Sequence, residues 1–335
     1  MIQYSLFCRL IRWLIFVLVS FTVQAQSDDR CAEELFREGY VLYQQHSAAR
    51  SLAKFKEAAQ LGHVEAAYYA GNIIRQNYTY ITKESEQYYR QAADGGDVDA
   101  MLRLGQKDSV CGILRECEYD RKAWIEKALQ TALPRAEAGD SEAMLQLYSI
   151  YWVMRKRVEA LAWTIKAARH GNAFAQYWLA VGLLDERKMG FYWTKAGRRA
   201  DILKWLEASA EQGFPKAMHK LASEYAQDGR MEEAVVWADR MGKTDYFSAI
   251  YEYGLVLIDG PDGAEGLIQY PETKPVEGLA MLFALHRETR RSSVQSSIDR
   301  RLPDLSPEIV AEAKEKSEEL LVDTPILHYL PKFGI

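Results

Sequence analysis

The chain has 335 residues, of which 48% are apolar, 27% charged and 12% aromatic, with a formal net charge of −5. That apolar and aromatic content excludes a disordered chain, which lacks the surface needed to offset ordering entropy. The acidic balance excludes the basic footprint of a nucleic-acid binder, and four cysteines are too few for a disulfide-built scaffold.

The opening segment carries Arg9 and Arg12. An apolar run from Trp13 to Val23 follows, broken only by Ser20 and Thr22, and then Gln24-Ala25 and the polar stretch 26–30. A basic start, a short apolar core and a small residue before a polar stretch predict a secretory signal cleaved after Ala25. The eleven-residue run falls short of the roughly 18 residues a spanning helix needs. The expectation is therefore a periplasmic or secreted protein: residues 1–25 as signal, 26–30 as a polar linker, and no stable membrane insertion after cleavage. Loss of Arg9 and Arg12 with the signal leaves a charge of −7. Disulfides persist in such a compartment. Cys111 and Cys117, with five residues between them, are the expected pair, and Cys31 is left as a free thiol or an intermolecular bridge.

Self-similarity governs the rest. A glycine followed four residues later by alanine recurs as Gly62/Ala66, Gly96/Ala100, Gly139/Ala143, Gly171/Ala175 and Gly213/Ala217, with a looser copy from Gly242 to Ala249. The glycine spacings are 34, 43, 32 and 42, a period in the mid-thirties with insertions, which predicts stacked helix pairs. A small pair precedes four of these glycines: Ala58-Ala59, Ala92-Ala93, Ala167-Ala168 and Ser209-Ala210. Small residues let two helix backbones approach closely. Glycine ends a helix because it takes the left-handed conformation without steric cost. Asp97, Asp140 and Asn172 follow as N-caps of the next helix. In that helix, offsets 0, 4, 5 and 8 from the repeat alanine are apolar or small in nearly every copy and lie on one face, the predicted buried one. Asp108 breaks this pattern, so the helix beginning near Asp97 is expected to end early.

The pattern Ala-x3-Leu-Gly, carried by Ala66 to Gly71, Ala100 to Gly105 and Ala249 to Gly254, with Ala-Ala-x2-Gly in Ala58 to Gly62 and Ala167 to Gly171, resembles the Sel-one-like repeat family, relatives of the tetratricopeptide repeat. The resemblance covers roughly residues 31–290. It implies an all-α, right-handed α/α solenoid of six to seven helix pairs over 31–291. Residues 292–335 then form a C-terminal cap and tail. Within them Ser306 and Pro307 open an amphipathic helix, and Asp323 to Ile335 is expected to hang loose.

Catalytic motifs are weak by comparison. Gly139-Asp140-Ser141 looks like an esterase nucleophile block, but Gly96-Asp97-Val98 is the same turn without serine. No Gly-x-Ser-x-Gly, Gly-x-Gly-x-x-Gly or phosphate-loop pattern occurs. None of the six histidines has a partner at metal spacing, so no metal or cofactor is expected. His63 and His170, beside repeat glycines, read as solvated turn residues. The arginines 287, 290, 291, 300 and 301 read as surface charge near the cap.

The resemblance implies a scaffold or adaptor that binds another protein through the concave side lined by the first helix of each pair, with no enzymatic activity. A narrower implication is an immunity protein against a secreted antibacterial effector. The alternative is the cysteine-containing branch of the family, to which β-lactamase-type hydrolysis is ascribed. That branch places cysteine pairs in most repeats, and here only Cys111 and Cys117 look so placed. Three residues past each repeat alanine lie Tyr69, Arg103, Gln146, Trp178, Lys220 and Glu252, none aliphatic and all off the predicted buried face. Ten past lie Gln76, Asp185, Gln227 and Asp259. The first series is the expected partner-binding ladder, because Tyr, Trp and Arg dominate protein-binding hot spots.

Overall fold

In the computed structural model the described residues are 29–78, 81–106, 120–185, 192–263 and 268–332. The expected signal, Cys111 and Cys117 lie outside them. Two compact units divide the chain between Thr131 and Ala132. The first contains α1 (29–44), α2 (Ala48–Gln60), α3 (Val64–Tyr78), α4 (Lys83–Asp94) and α5 (Val98–Gly105). The boundary falls inside α6 (Arg121–Glu137). The second unit continues through α7 (Ser141–Val153), α8 (Arg157–Arg169), α9 (Ala173–Leu184), α10 (Lys195–Glu211), α11 (Pro215–Gln227), α12 (Met231–Met241) and α13 (Phe247–Asp259). It closes with α14 (Pro275–Thr289), α15 (Ser292–Arg301) and α16 (Pro307–Ser317). Each unit is all-α, and consecutive helices pack as hairpins, α3 on α4, α7 on α8, α11 on α12 and α13 on α14. The helix hairpin implied by the repeat is thus the unit of the fold. The expected boundary near 291 falls within the second unit, where α14 packs against α16.

The repeat glycine makes the turn between hairpins. Gly62, Gly96, Gly139, Gly171 and Gly213 all have φ between +86° and +99°. At Gly171 the glycine N–H bonds back to the Ala168 carbonyl at 3.1 Å and the next N–H, of Asn172, to the Ala167 carbonyl at 3.0 Å. The same pair of bonds recurs at the other four glycines. This closes off the last carbonyls of one helix with the left-handed residue in the C′ position. The next helix then starts on a side-chain cap. Asp97 accepts from the Ala100 N–H at 2.8 Å, Asp140 from Ala143 at 3.1 Å and Asn172 from Ala175 at 2.8 Å, as the sequence predicted. The Ser306 hydroxyl caps α16 in the expected way, accepting from Ile309. Helix α5 ends at Gly105, before Asp108.

The face between those turns is the core. Ala66, Ala100, Ala143, Ala175, Ala217 and Ala249 are fully buried, and so are Leu104, Leu147 and Leu221 four residues on. Small residues matter here because the backbones nearly touch. A Cβ on Gly278 of α14 would lie 2.5 Å from the Gly254 carbonyl oxygen of α13, and one on Gly71 would lie 2.9 Å from the Tyr89 ring. Tyr89 then bonds Asn72 through its hydroxyl at 2.8 Å, so this contact is both tight and polar-satisfied.

Two expectations fail at the C-terminus. Residues 324–332 are not loose: Ile326 is buried, Tyr246 and Leu327 form an isolated parallel bridge, and the Tyr329 hydroxyl donates to Asp245 at 2.7 Å. The arginine cluster is not mere surface charge. Arg287 donates to the Ser317 and Leu320 carbonyls at 2.7 Å, closing the end of α16, and Arg301 forks onto Asp259 at 2.9 and 2.8 Å. Arg291 donates to His328 at 2.7 Å. Carbonyls at a helix end lack intrahelical donors, so a guanidinium aimed at them meets both a hydrogen-bonding and an electrostatic need.

The turn geometry yields a paired test by urea denaturation. Nothing lies within 4 Å of a Cβ built on Gly171, so Gly171→Ala is expected to cost only its backbone strain, about 1–2 kcal/mol. Arg155 holds the equivalent left-handed position between α7 and α8, at φ +61°, and Arg155→Gly is expected to raise stability by up to about 1 kcal/mol. Gly278→Ala should cost more than Gly171→Ala, because the obstacle is backbone.

Candidate functional site

The ladder splits between the two units and between roles. Tyr69 and Arg103 lie in the first unit and are buried, 2% and 6% exposed, which corrects the expectation that they face a partner. Tyr69 stacks on Phe55 with ring centroids 5.1 Å apart and meets Tyr43 edge-on at 5.0 Å, and burial pushes its phenol far above the usual range. It is a core residue because α1 supplies Phe36, Tyr40 and Tyr43 as a lid of rings over α3. Arg103 donates to Gln106 at 3.0 Å at the end of α5. His63 is likewise not a solvated turn residue. Its ring stacks on Phe36 at 4.3 Å, and its Nδ1 accepts the Ala66 N–H at 3.1 Å, so it serves as the N-terminal cap of α3. The accepting Nδ1 places the proton on Nε2, which faces Glu33 at 3.3 Å. His170 is exposed, as expected.

In the second unit Gln146, Trp178, Lys220 and Glu252 are all half-buried. Two are engaged in ion pairs. Glu252 pairs with His219, and Lys220 reaches Glu224 one turn on at 2.6 Å. Glu224 is the reason: its side chain is 2% exposed, and Arg199 from α10 completes its neutralisation while also holding Asp228 at 2.9 Å. A buried carboxylate needs both cations, so Lys220 is committed to the fold.

Trp178 is different, because it lines an open cleft. The cavity, about 580 Å³, lies among α7, α8 and α9. Tyr148 and Trp152 wall it from α7, Val158 and Leu161 from α8, and Trp178 and Val181 from α9. Arg157 and Asp185 stand among its lining residues, Arg157 with its guanidinium 5.5 Å from the Trp152 ring centre. Burial pushes the Tyr148 phenol up, an effect the neighbouring Trp178 side chain partly offsets. Trp152 is 44% exposed and Val158 80% exposed. Among the described residues no group of three His, Cys, Asp or Glu side chains has metal-binding geometry. The cysteine pair on which the hydrolase alternative rests lies outside them, and Cys31 is an exposed free thiol.

Trp178 and Asp185 were legible as offsets three and ten in the repeat. Val158 and Leu161 were not, because the ladder follows the first helix of each pair alone, and Trp152, on such a helix, stands nine residues past Ala143, outside both series. The signal lay in α8, where Val158 and Leu161 form a second apolar stripe beside the buried one of Ala160, Thr164 and Ala167.

No family profile matches the chain. Over 166 residues, 47% of its length, the chain is 32% identical to chitin synthase regulatory factor 3 of Schizosaccharomyces pombe. Over 101 residues, 30% of its length, it is 28% identical to an F-box protein of Arabidopsis thaliana. It spans only 17% and 26% of these two relatives. Among solved structures it is similar to a protective antigen of uropathogenic Escherichia coli displaying an SLR fold. That match has 18% identity and a TM-score of 0.48, covering 88% of this chain and 62% of that one.

The Glu224 cluster carries a pH test. Burial pushes its carboxyl up, but hydrogen bonds from Arg199 and Lys220 outweigh this and hold it below the usual range. A depressed folded value means the stabilisation is full above the ordinary carboxylate range and is lost as pH falls through the folded value. Glu224→Gln is therefore expected to cost about 2 kcal/mol near neutral pH, with the gap to the wild type closing in acid. Urea midpoints measured from pH 7 down to pH 3 check both the size and the direction.

Proposed function

We propose that this chain is an exported scaffold that binds another protein through the cleft among α7, α8 and α9. The carrying observation is an open apolar cavity walled by two tryptophans, with Val158 and Trp152 left in water. Leaving such side chains exposed forgoes about 1.5–3 kcal/mol each, and exposed apolar patches of this kind mark interaction surfaces. Trp anchors surrounded by a charged rim have the composition of a binding hot spot. The helix-hairpin repeat supports the same reading, since stacked hairpins offer rigid positions for side chains and leave their loops short.

Export is supported by the order Arg9, Arg12, apolar run, Ala25. The periplasm is the compartment this reading favours, with an immunity role toward a secreted effector as its narrower form. Mass spectrometry of the chain recovered from a periplasmic fraction is expected to find Gln26 at its N-terminus, and recovery only from the cytosol with Met1 intact overturns export.

The cleft is tested by a photo-crosslinking amino acid placed at Val158 in the native cell. The expected result is a discrete protein adduct that is lost when Trp152→Ala and Trp178→Ala are combined in a chain that keeps its helical circular-dichroism spectrum. A probe at Val236, 57% exposed on α12, serves as the control. Equal adducts at both positions, or none at Val158, overturn the assignment.

A further inference from the structure

The C-terminal segment anchors Ile326 in the core and otherwise lies along the chain as a bound peptide would. It arrives after α16 in extended form and pairs with the chain at the start of α13: the Leu327 N–H donates to the Asp245 carbonyl at 2.8 Å, and the Phe247 N–H donates to the Leu327 carbonyl at 3.0 Å. The Phe247 amide is one of the free donors at a helix start, so this strap satisfies a group the helix itself cannot. Side chains add specificity. Ile326 is buried, the His328 ring lies 5.0 Å from the Phe247 ring, and Tyr329 inserts between Phe214 and Tyr246, edge-on to both at 6.1 and 5.8 Å. Its hydroxyl donates to Asp245 at 2.7 Å.

Two further observations distinguish this strap from an ordinary docked terminus. It is held with backbone strain, because Leu321, Asp323 and Tyr329 all adopt left-handed φ, at +57°, +55° and +50°, without being glycine. Such conformations persist only where the surroundings impose them. The rings beneath Tyr329 also continue beyond it. Phe214 meets Tyr177 at 5.4 Å and Phe174 at 6.3 Å, Phe174 stacks on Trp178 at 6.2 Å, and Trp178 walls the open cleft. The strap therefore covers one end of an aromatic surface whose other end is empty.

We propose that residues 326–330 are an intramolecular ligand, seated where an extended segment of a partner protein carrying a tyrosine at the place of Tyr329 docks, and that such a segment displaces them. The recognition chemistry is the strap's own: two backbone hydrogen bonds at Asp245 and Phe247, an aromatic side chain between Phe214 and Tyr246, and a hydroxyl donated to Asp245. The proposal rests on the protein-binding reading above in assigning the partner, but it stands or falls on separate measurements.

The test uses the full chain and a fluorescein-labelled synthetic peptide with the sequence of residues 324–332. Fluorescence anisotropy is expected to show binding at least tenfold tighter to the strap-loosened double variant Leu327→Pro, Tyr329→Ala than to the wild type. A peptide with alanine at the Leu327 and Tyr329 positions should bind neither. Hydrogen exchange on the wild type gives an independent reading that needs no variant: saturating peptide should speed exchange at the Leu327 amide of the chain while the Phe247 amide stays protected. Equal affinity for wild type and a folded variant overturns the proposal, as does unchanged Leu327 exchange under saturating peptide. A doubling of mass in the loosened variant without peptide binding also overturns it, in favour of strap exchange between two copies. If crosslinking at Val158 fails while peptide exchange succeeds, the cleft assignment falls alone; the reverse result removes the strap alone.

Discussion

A single backbone conformation, glycine at φ near +90°, sets the register on which each unit depends. It ends one helix by returning two N–H groups to carbonyls of the last turn, and it aims the chain so that Asp, Asn or another cap begins the next helix within two residues. With the turn fixed, the repeat alanine always arrives at the same height on the same face. That constancy lets alanine and glycine serve as contact residues: the helices approach closely because the turn delivers them in register. A residue with a Cβ could still make the turn, as Arg155 does between α7 and α8, but only under strain. The glycine is therefore a matter of energy at each turn and of repetition across all of them.

Close helix contact leaves little room for charge, and the second unit shows how the exceptions are handled. Glu224 is surrounded by Arg199 and Lys220, so burying it does not leave an isolated charge. Arg287 and Arg301 meet carbonyls and a carboxylate where helices end. Arg287 and Arg301, which the sequence alone assigns to the surface, are thus consumed by groups elsewhere in the fold. The same accounting applies to the ladder. An offset chosen to avoid the buried face selects residues that are free to turn toward their neighbours, and Lys220 and Glu252 do so.

Local and periodic features were therefore legible, and non-local ones were not. Gly171, Asn172 and Ala175 are three adjacent signals with one geometric meaning, and repetition confirmed them copy by copy. Tyr69 shares its offset with Trp178, but α1 brings three rings over it, and nothing at Tyr69 itself foretells that. The strap is the extreme case: Tyr329 and Asp245 are 84 residues apart, and no period links them. The apolar density of Ile326, Leu327, Tyr329 and Leu330 is the one local signal, and it does not say which surface the segment meets. Trp152 and Val158 were missed for a related reason. A helix with two apolar stripes satisfies the repeat with one of them, and periodicity alone does not say what the other is for.

That second stripe bears on how the cleft and the strap share one surface. Alanine-rich hairpins bury backbone and small side chains where they approach most closely, and large rings fill the space beside those contacts, as Tyr148, Tyr225 and Trp237 do in the second unit. A further row of rings, Trp178, Phe174, Phe214 and Tyr246, is only half-buried, with Phe214 and Tyr246 at the N-caps of α11 and α13. Aromatic surface of this kind is costly to leave in water; Phe214 and Tyr246 pack on the core from one side, and Tyr329 of the strap meets both of them. The rings under Tyr329 are satisfied within the chain, while those around Trp152 and Trp178 are not. An apolar surface that is half covered by the chain's own terminus, through contacts a peptide could reproduce, is arranged for exchange.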